Sequence, residues 1–140
     1  MEPKSEFDIA ASKNFLDEIA KADARVGQTL VSENDLVRVW HVGLEPGELF
    51  GFHRHELDYC WIAINAGRSR SISSNGSVVE TEYKAGDCKV FAFAENEGMV
   101  HDLTNIGDTS LAFTTIEFKA SLKRESSPKR EKWPVVGVGI

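Results

Sequence analysis

The stretch GFHRHELDYCW, residues 51–61, places two of the chain's four histidines one residue apart. Neutral imidazole offers a lone pair near physiological pH and is the commonest metal ligand among side chains. In a strand, side chains two apart leave the same face, about 6 to 7 Å apart along the chain. His53 and His55 can therefore converge on one ion if the strand curves, and a third ligand must come from elsewhere. His101 is the obvious supplier: it opens the strand-like run HDLTN behind the glycine-bearing loop NEGMV. The remaining histidine, His41, lies in VRVWHVGL, where ordinary strand packing accounts for it.

The elements that must position these residues are short. After Gly27 the chain reads as β-type runs: QTLVSE, LVRVWHVGL, the run around FGFHRH, YCWIAINA, SRSIS, VVETEY, CKVFAFA, HDLTN and SLAFTTIEFK. Between them stand EPGE, NAGR, SNGS, KAGD and NIGD, which pair Gly with the Asn, Asp, Pro or Ser that turns require. Asn75-Gly76 signals a two-residue hairpin. Many short strands at close intervals indicate an antiparallel sandwich or barrel, not alternating βαβ units. Helical periodicity is confined to residues 10–24, where Phe15, Leu16, Ile19 and Ala20 recur at three- and four-residue spacing. The expected organisation is a helical segment over 1–27, a β domain over 28–120, and a polar linker with an apolar tail over 121–140.

At 140 residues the chain has the length of one domain with a proper core. Its net charge is −6, but residues 121–132 carry five basic and two acidic side chains, which leaves −9 on the rest. Such an acidic body argues against nucleic acid as a partner, since only this short stretch could neutralise phosphates. The start, MEPKSEFDIA, lacks the apolar core of a signal peptide, and the longest apolar runs are five residues, so no membrane association is expected. Cys60 and Cys88 have no CxxC spacing and fit a reducing, cytoplasmic setting. The terminal WPVVGVGI would be an adhesive strand if left free. It is expected to add to a sheet edge or lie across a second subunit, which points to a homodimer.

The spacing of these motifs resembles the cupin superfamily, in the small single-domain RmlC-like form. That family's first motif runs G, five residues, H-x-H, three or four residues, E, six residues, G. Here Gly47 precedes ELFGF, then His53 and His55 follow, and Gly67 closes the motif. The second motif ends in P-x-G, two residues, H, three residues, N. Here Gly98, His101 and Asn105 fall at that spacing, with Asn96 in the proline place and Ala85-Gly86-Asp87 as the opening turn. The resemblance spans roughly residues 36–118. It implies an all-β fold, a jelly-roll barrel or double-stranded β-helix with a short N-terminal helix. It also implies His53, His55 and His101 as metal ligands in one mouth of the barrel.

The family's glutamate ligand is missing. Counting from His55 lands on Tyr59; counting back from Gly67 lands on Cys60. Strict alternation puts Tyr59 on the histidine face, and a one-residue bulge would put Cys60 there instead. Tyr59 is then a candidate catalytic proton donor and Cys60 a candidate fourth ligand. Glu56 and Asp58 fall on the opposite face under strict alternation. The stretch KVFAFAENEGMV is longer than the shortest family members allow and reads as a loop over the barrel mouth. Phe50, Phe52, Trp61, Phe91 and Phe93 are core aromatics that could also wall a pocket.

Three neutral imidazoles without a carboxylate suit iron or zinc first, with nickel, copper or manganese as further options. Such a centre leaves positions open for a small-molecule substrate, and for dioxygen if the ion is ferrous. The leading expectation is a metal-dependent enzyme on a small organic molecule, dioxygenase-like ahead of lyase or isomerase. The alternative is a non-catalytic metabolite-binding or sensor protein. The sequence lacks carboxylate pairs at hydrolytic spacing, a nucleophile elbow or a phosphate-cradling loop.

Overall fold

The computed structural model describes residues 13–123. Its helix α1 (Lys13–Lys21) buries Phe15 edge-on against Phe52, with ring centroids 5.4 Å apart. The helix stops earlier than the apolar periodicity suggests. Asp23 is extended and bridges His53, and its carbonyl accepts the Arg54 N–H at 2.6 Å. That backbone pairing with a strand competes with another helical turn and wins. Among the described residues no helix is long and apolar enough to cross a membrane.

Nine strands follow among the described residues: β1 (Thr29–Glu33), β2 (Val37–Leu44), β3 (Leu49–His55), β4 (Asp58–Ala63), β5 (Gly67–Ile72), β6 (Val78–Tyr83), β7 (Cys88–Phe91), β8 (Met99–Asn105) and β9 (Leu111–Phe118). They form a five-stranded sheet, β1-β2-β9-β4-β7, and a four-stranded sheet, β3-β8-β5-β6. All the paired strands are antiparallel. Among the described residues the fold is an all-β jelly roll with one short helix: the run-and-turn pattern implies the antiparallel strands, and the family resemblance the jelly roll. Period-two alternation is cleanest in β9, which turns Leu111, Phe113, Thr115 and Glu117 inward. Val42, Leu44, Ala63, Tyr83, Leu111 and Phe113 make the core between the sheets. Glu117 is buried too, and its carboxylate accepts the Trp40 indole N–H at 2.7 Å. Burial holds its pKa above the usual carboxylate range.

One sequence signal takes a different form from the one expected. The Asn75-Gly76 turn is longer than two residues: Ser73 N–H donates to Ser77 O, and Gly76 takes φ +85°. Ser77 N–H is already committed to the Asn75 side chain, which shapes this wider loop. Asn105 and Gly47, from the two separated motifs, meet directly. Gly47 N–H donates to Asn105 O at 2.8 Å, and Asn105 N–H returns to Glu48 O at 3.0 Å. The Asn105 amide, fully buried, also donates to Leu44 O and Thr109 O and accepts from Gly107 N–H. The motif asparagine is thus a backbone staple. The apolar tail WPVVGVGI, expected to pair with an edge or a second subunit, lies outside the described residues.

Candidate metal centre

The three histidines meet because of one irregularity and one register. Between Phe50 and His53 the β3–β8 pairing slips by one residue, so a bulge lets Phe50 and His53, three apart, face the same side. Beyond the bulge His53 pairs directly with His101, and His55 with Met99. The rings then sit 4.7 Å (His53–His101), 5.0 Å (His53–His55) and 5.0 Å (His55–His101) apart between centroids. One ring nitrogen from each lies within 4.8 Å of the other two, a separation that one ion can span.

Neighbouring groups choose the nitrogen. His53 Nδ1 is 2.9 Å from Gly51 O, and a carbonyl only accepts, so Nδ1 carries the proton and Nε2 the lone pair. Ser71 spends its hydroxyl proton on Asp102 O at 2.6 Å, so its oxygen accepts from His101 Nδ1 at 3.0 Å. His101 Nε2 is therefore also a bare lone pair. It faces His55 Nε2 at 3.1 Å, while His55 Nδ1 is buried without a partner. Burial pushes His53 down to about 4 and His101 to about 3, and holds His55 well below the ordinary imidazole value. All three are neutral at physiological pH, the state a metal requires. Converging lone pairs, tautomers set from behind and an unsatisfied buried nitrogen fit a divalent transition metal. His53, His55 and His101 would hold it.

Among the described residues no carboxylate or thiolate fills the fourth place. β4 pairs with β9 from Asp58↔Phe118 to Ala63↔Phe113 without a slip. With no bulge in β4, Tyr59 faces the histidines and Cys60 turns to the other side of the sheet, near Cys88. Burial raises the Cys60 thiol to about 11, far from a thiolate. Cys60 therefore does not face the histidines as a fourth ligand. Tyr59 stacks on His55 at 3.8 Å between centroids, and its hydroxyl is buried with no partner. Desolvation raises its pKa, so it remains a phenol, a donor pointed at the cavity.

No protein-family model matches the sequence, and no curated protein does. Among solved structures, a cupin domain from Bordetella pertussis superposes with a TM-score of 0.58 at 27% identity, covering 71% of this chain and 98% of that one. The chain belongs to the cupin superfamily. Two further structures share the fold. An RmlC-like cupin family protein with a double-stranded β-helix fold, from Methanocaldococcus jannaschii, gives 0.50 at 20% identity over 67% of this chain and 84% of that one. An uncharacterized conserved protein with a double-stranded β-helix domain, from Klebsiella pneumoniae, gives 0.50 at 19% over 83% and 88%.

In this cupin the histidines line a cavity of about 270 Å³ between the sheets. Of the aromatics singled out in the sequence, Phe50, Trp61 and Phe91 line it. Phe52 instead packs under α1, and Phe93 lines a polar groove of about 970 Å³ that shares His55 and Met99 with the cavity. Of the stretch expected as a loop over the mouth, residues 89–100, residues 93–98 line that groove with Arg54, His55, Glu56 and Asp58. It is pinned there, since Phe93 N–H donates to Asp58 and Gly98 lies so close to His55 O that a Cβ would meet it at 2.4 Å. His41 is exposed on β2, away from the site. Ser69, Ser71, Thr81, Tyr83, Lys89 and Thr115 also line the cavity, and the motifs pointed to none of them. Period-two parity within SRSIS and CKVF was the one available signal. It could not say which parity faces inward.

Proposed function

We propose that this cupin is a metal-dependent enzyme acting on a small organic molecule at a three-histidine centre. Dioxygenase-type oxidation stands ahead of lyase or isomerase chemistry. The observation that supports it is the convergence of three neutral imidazoles, two with their Nε2 lone pairs freed by Gly51 O and Ser71, in a cavity that no carboxylate of the described residues lines. When bound, a metal there keeps its full charge and open positions, and supplies Lewis-acid or, for iron, redox chemistry. Around it, Trp61, Phe91 and Phe113 exclude water. The Tyr59 phenol is the group that can hold or deliver a proton to an oxygen of the substrate. Ser71 and Gly51 O fix the two imidazoles from behind.

Elemental analysis of the purified protein tests this. About one iron or zinc per chain is expected, falling to background in His53→Ala, His55→Ala and His101→Ala. Equal, negligible metal in all four proteins would sink the reading. A second reading, a metabolite-binding or sensor protein, is supported by Tyr59 standing where the family pattern has a glutamate. Metal-dependent turnover on a panel of small molecules would remove it.

A further inference from the structure

The cavity runs outward from the histidines along a stack of rings. Tyr59 lies on His55 at 3.8 Å, Phe91 lies on Tyr59 at 4.7 Å, and the Lys89 ammonium stands 5.1 Å from the centre of Phe91. Lys89 pairs with Trp61 across β4 and β7, so it shares the inward face with Trp61 and Phe91 and lines the cavity. β6 and β7 are edge strands of different sheets and are not paired with each other. Val79 on β6 also lines the cavity yet is 54% exposed, and Lys89 opposite is exposed as well. The gap between these strands is therefore a mouth, with Lys89 on its rim.

The charges there are one-sided. Among the described residues no aspartate or glutamate lines the cavity, and with the imidazoles neutral Lys89 is the one charged side chain among them that does. No ion pair among the described residues includes it, whereas Arg68 and Arg70 on β5 are both matched by Glu80. Packing beside Phe91 and Trp61 would be served equally well by an aliphatic side chain. Instead an unpaired ammonium is held at the rim by the face of Phe91. In a chain of net charge −6, this is a local positive field that favours anions at the mouth.

We propose that the ligand of this site is a small organic acid. Its carboxylate rests on Lys89 at the mouth, and its remaining atoms lie along the aromatic stack toward the histidines. The cavity of about 270 Å³ has the volume of about nine liquid waters, room for a ring with a short side chain. The inference rests on the metal reading only for the inner end of the ligand; the contact at Lys89 is independent of it.

Calorimetric binding of phenylacetate and of its neutral amide, phenylacetamide, to the full chain tests this, with zinc-loaded and metal-free samples. The acid is expected to bind at least tenfold tighter than the amide, and raised salt to shrink the difference. Lys89→Met should abolish the preference and Lys89→Arg should retain it. Because Lys89 is exposed, both variants are expected to melt with the wild type. An unchanged acid-to-amide ratio in Lys89→Met, or no binding of the acid to wild type, overturns the proposal. Zinc content of the same samples separates the two readings. Protein that retains no zinc but keeps the Lys89-dependent preference loses only the metal centre. Protein that retains zinc without the preference loses only the organic acid.

Discussion

His53, His55 and His101 all come from the four-stranded sheet, as does Ser71, which fixes His101 from behind. The five-stranded sheet brings no imidazole to the same cavity. It contributes Tyr59, Trp61, Lys89, Phe91, Phe113 and Thr115: a phenol, aromatic walls, one ammonium and a hydroxyl. One sheet is thus equipped to hold an ion and the other to meet an organic molecule. The difference follows from register. The β3–β8 pairing sets His53 opposite His101, so a rigid antiparallel ladder does the preorganising. The partner sheet needs no such convergence, and it meets the ligands through Tyr59, which stacks on His55.

The sharpest way to break this comparison is acid, because it attacks one sheet's histidines selectively. The unfolded chain takes up protons near pH 6.5, whereas native His53 and His101 resist until about 4 and about 3, and native His55 likewise stays neutral. Stability of the metal-free protein is therefore expected to be intact above pH 6.5. It should fall as pH drops below that, by a few kcal/mol at pH 5. Asp102, raised by burial to about 6, acts with the opposite sign, so Asp102→Asn should steepen the fall. Urea denaturation at pH 8 and pH 5 reads both effects. A flat profile would mean that the imidazoles are not buried neutral.

A smaller effect isolates the support behind one ligand. Ser71→Ala leaves the three imidazoles in place but removes the acceptor that orients His101, and should weaken metal binding about 10- to 100-fold. Competition with a chelator measures it, and affinity equal to wild type would deny Ser71 that role. The smallest effect contrasts the two faces of β4. Tyr59→Phe removes a buried hydroxyl that has no partner, so stability should rise or stay within about 1 kcal/mol while turnover falls. Cys60→Ala, on the other face, should leave metal content untouched. Loss of metal in Cys60→Ala would restore the thiol as a ligand and reverse the assignment of β4.

Much of this was legible in the residues. Gly-bearing turns marked the strand boundaries, and HxH with a distant histidine marked the centre, because both signals are local and chemical. The bulge at Gly51–Phe52 was not legible, nor was the end of α1 at Lys21, where Asp23 prefers a strand partner to another helical turn. The loop at residues 92–98 was legible as long, but its resting place was not, since a hydrogen bond to Asp58 from across the fold decides it.

By itself the sequence determined an all-β barrel, three candidate imidazole ligands and a missing glutamate. Hydrophobic period, turn chemistry and motif spacing are written along the chain. Only the tertiary structure decided between Tyr59 and Cys60, found Ser71 behind His101, and set Lys89 at the mouth. Those choices depend on which parity of a strand faces inward. Parity is fixed by pairing across the sheets: one residue of slip in β3 and none in β4.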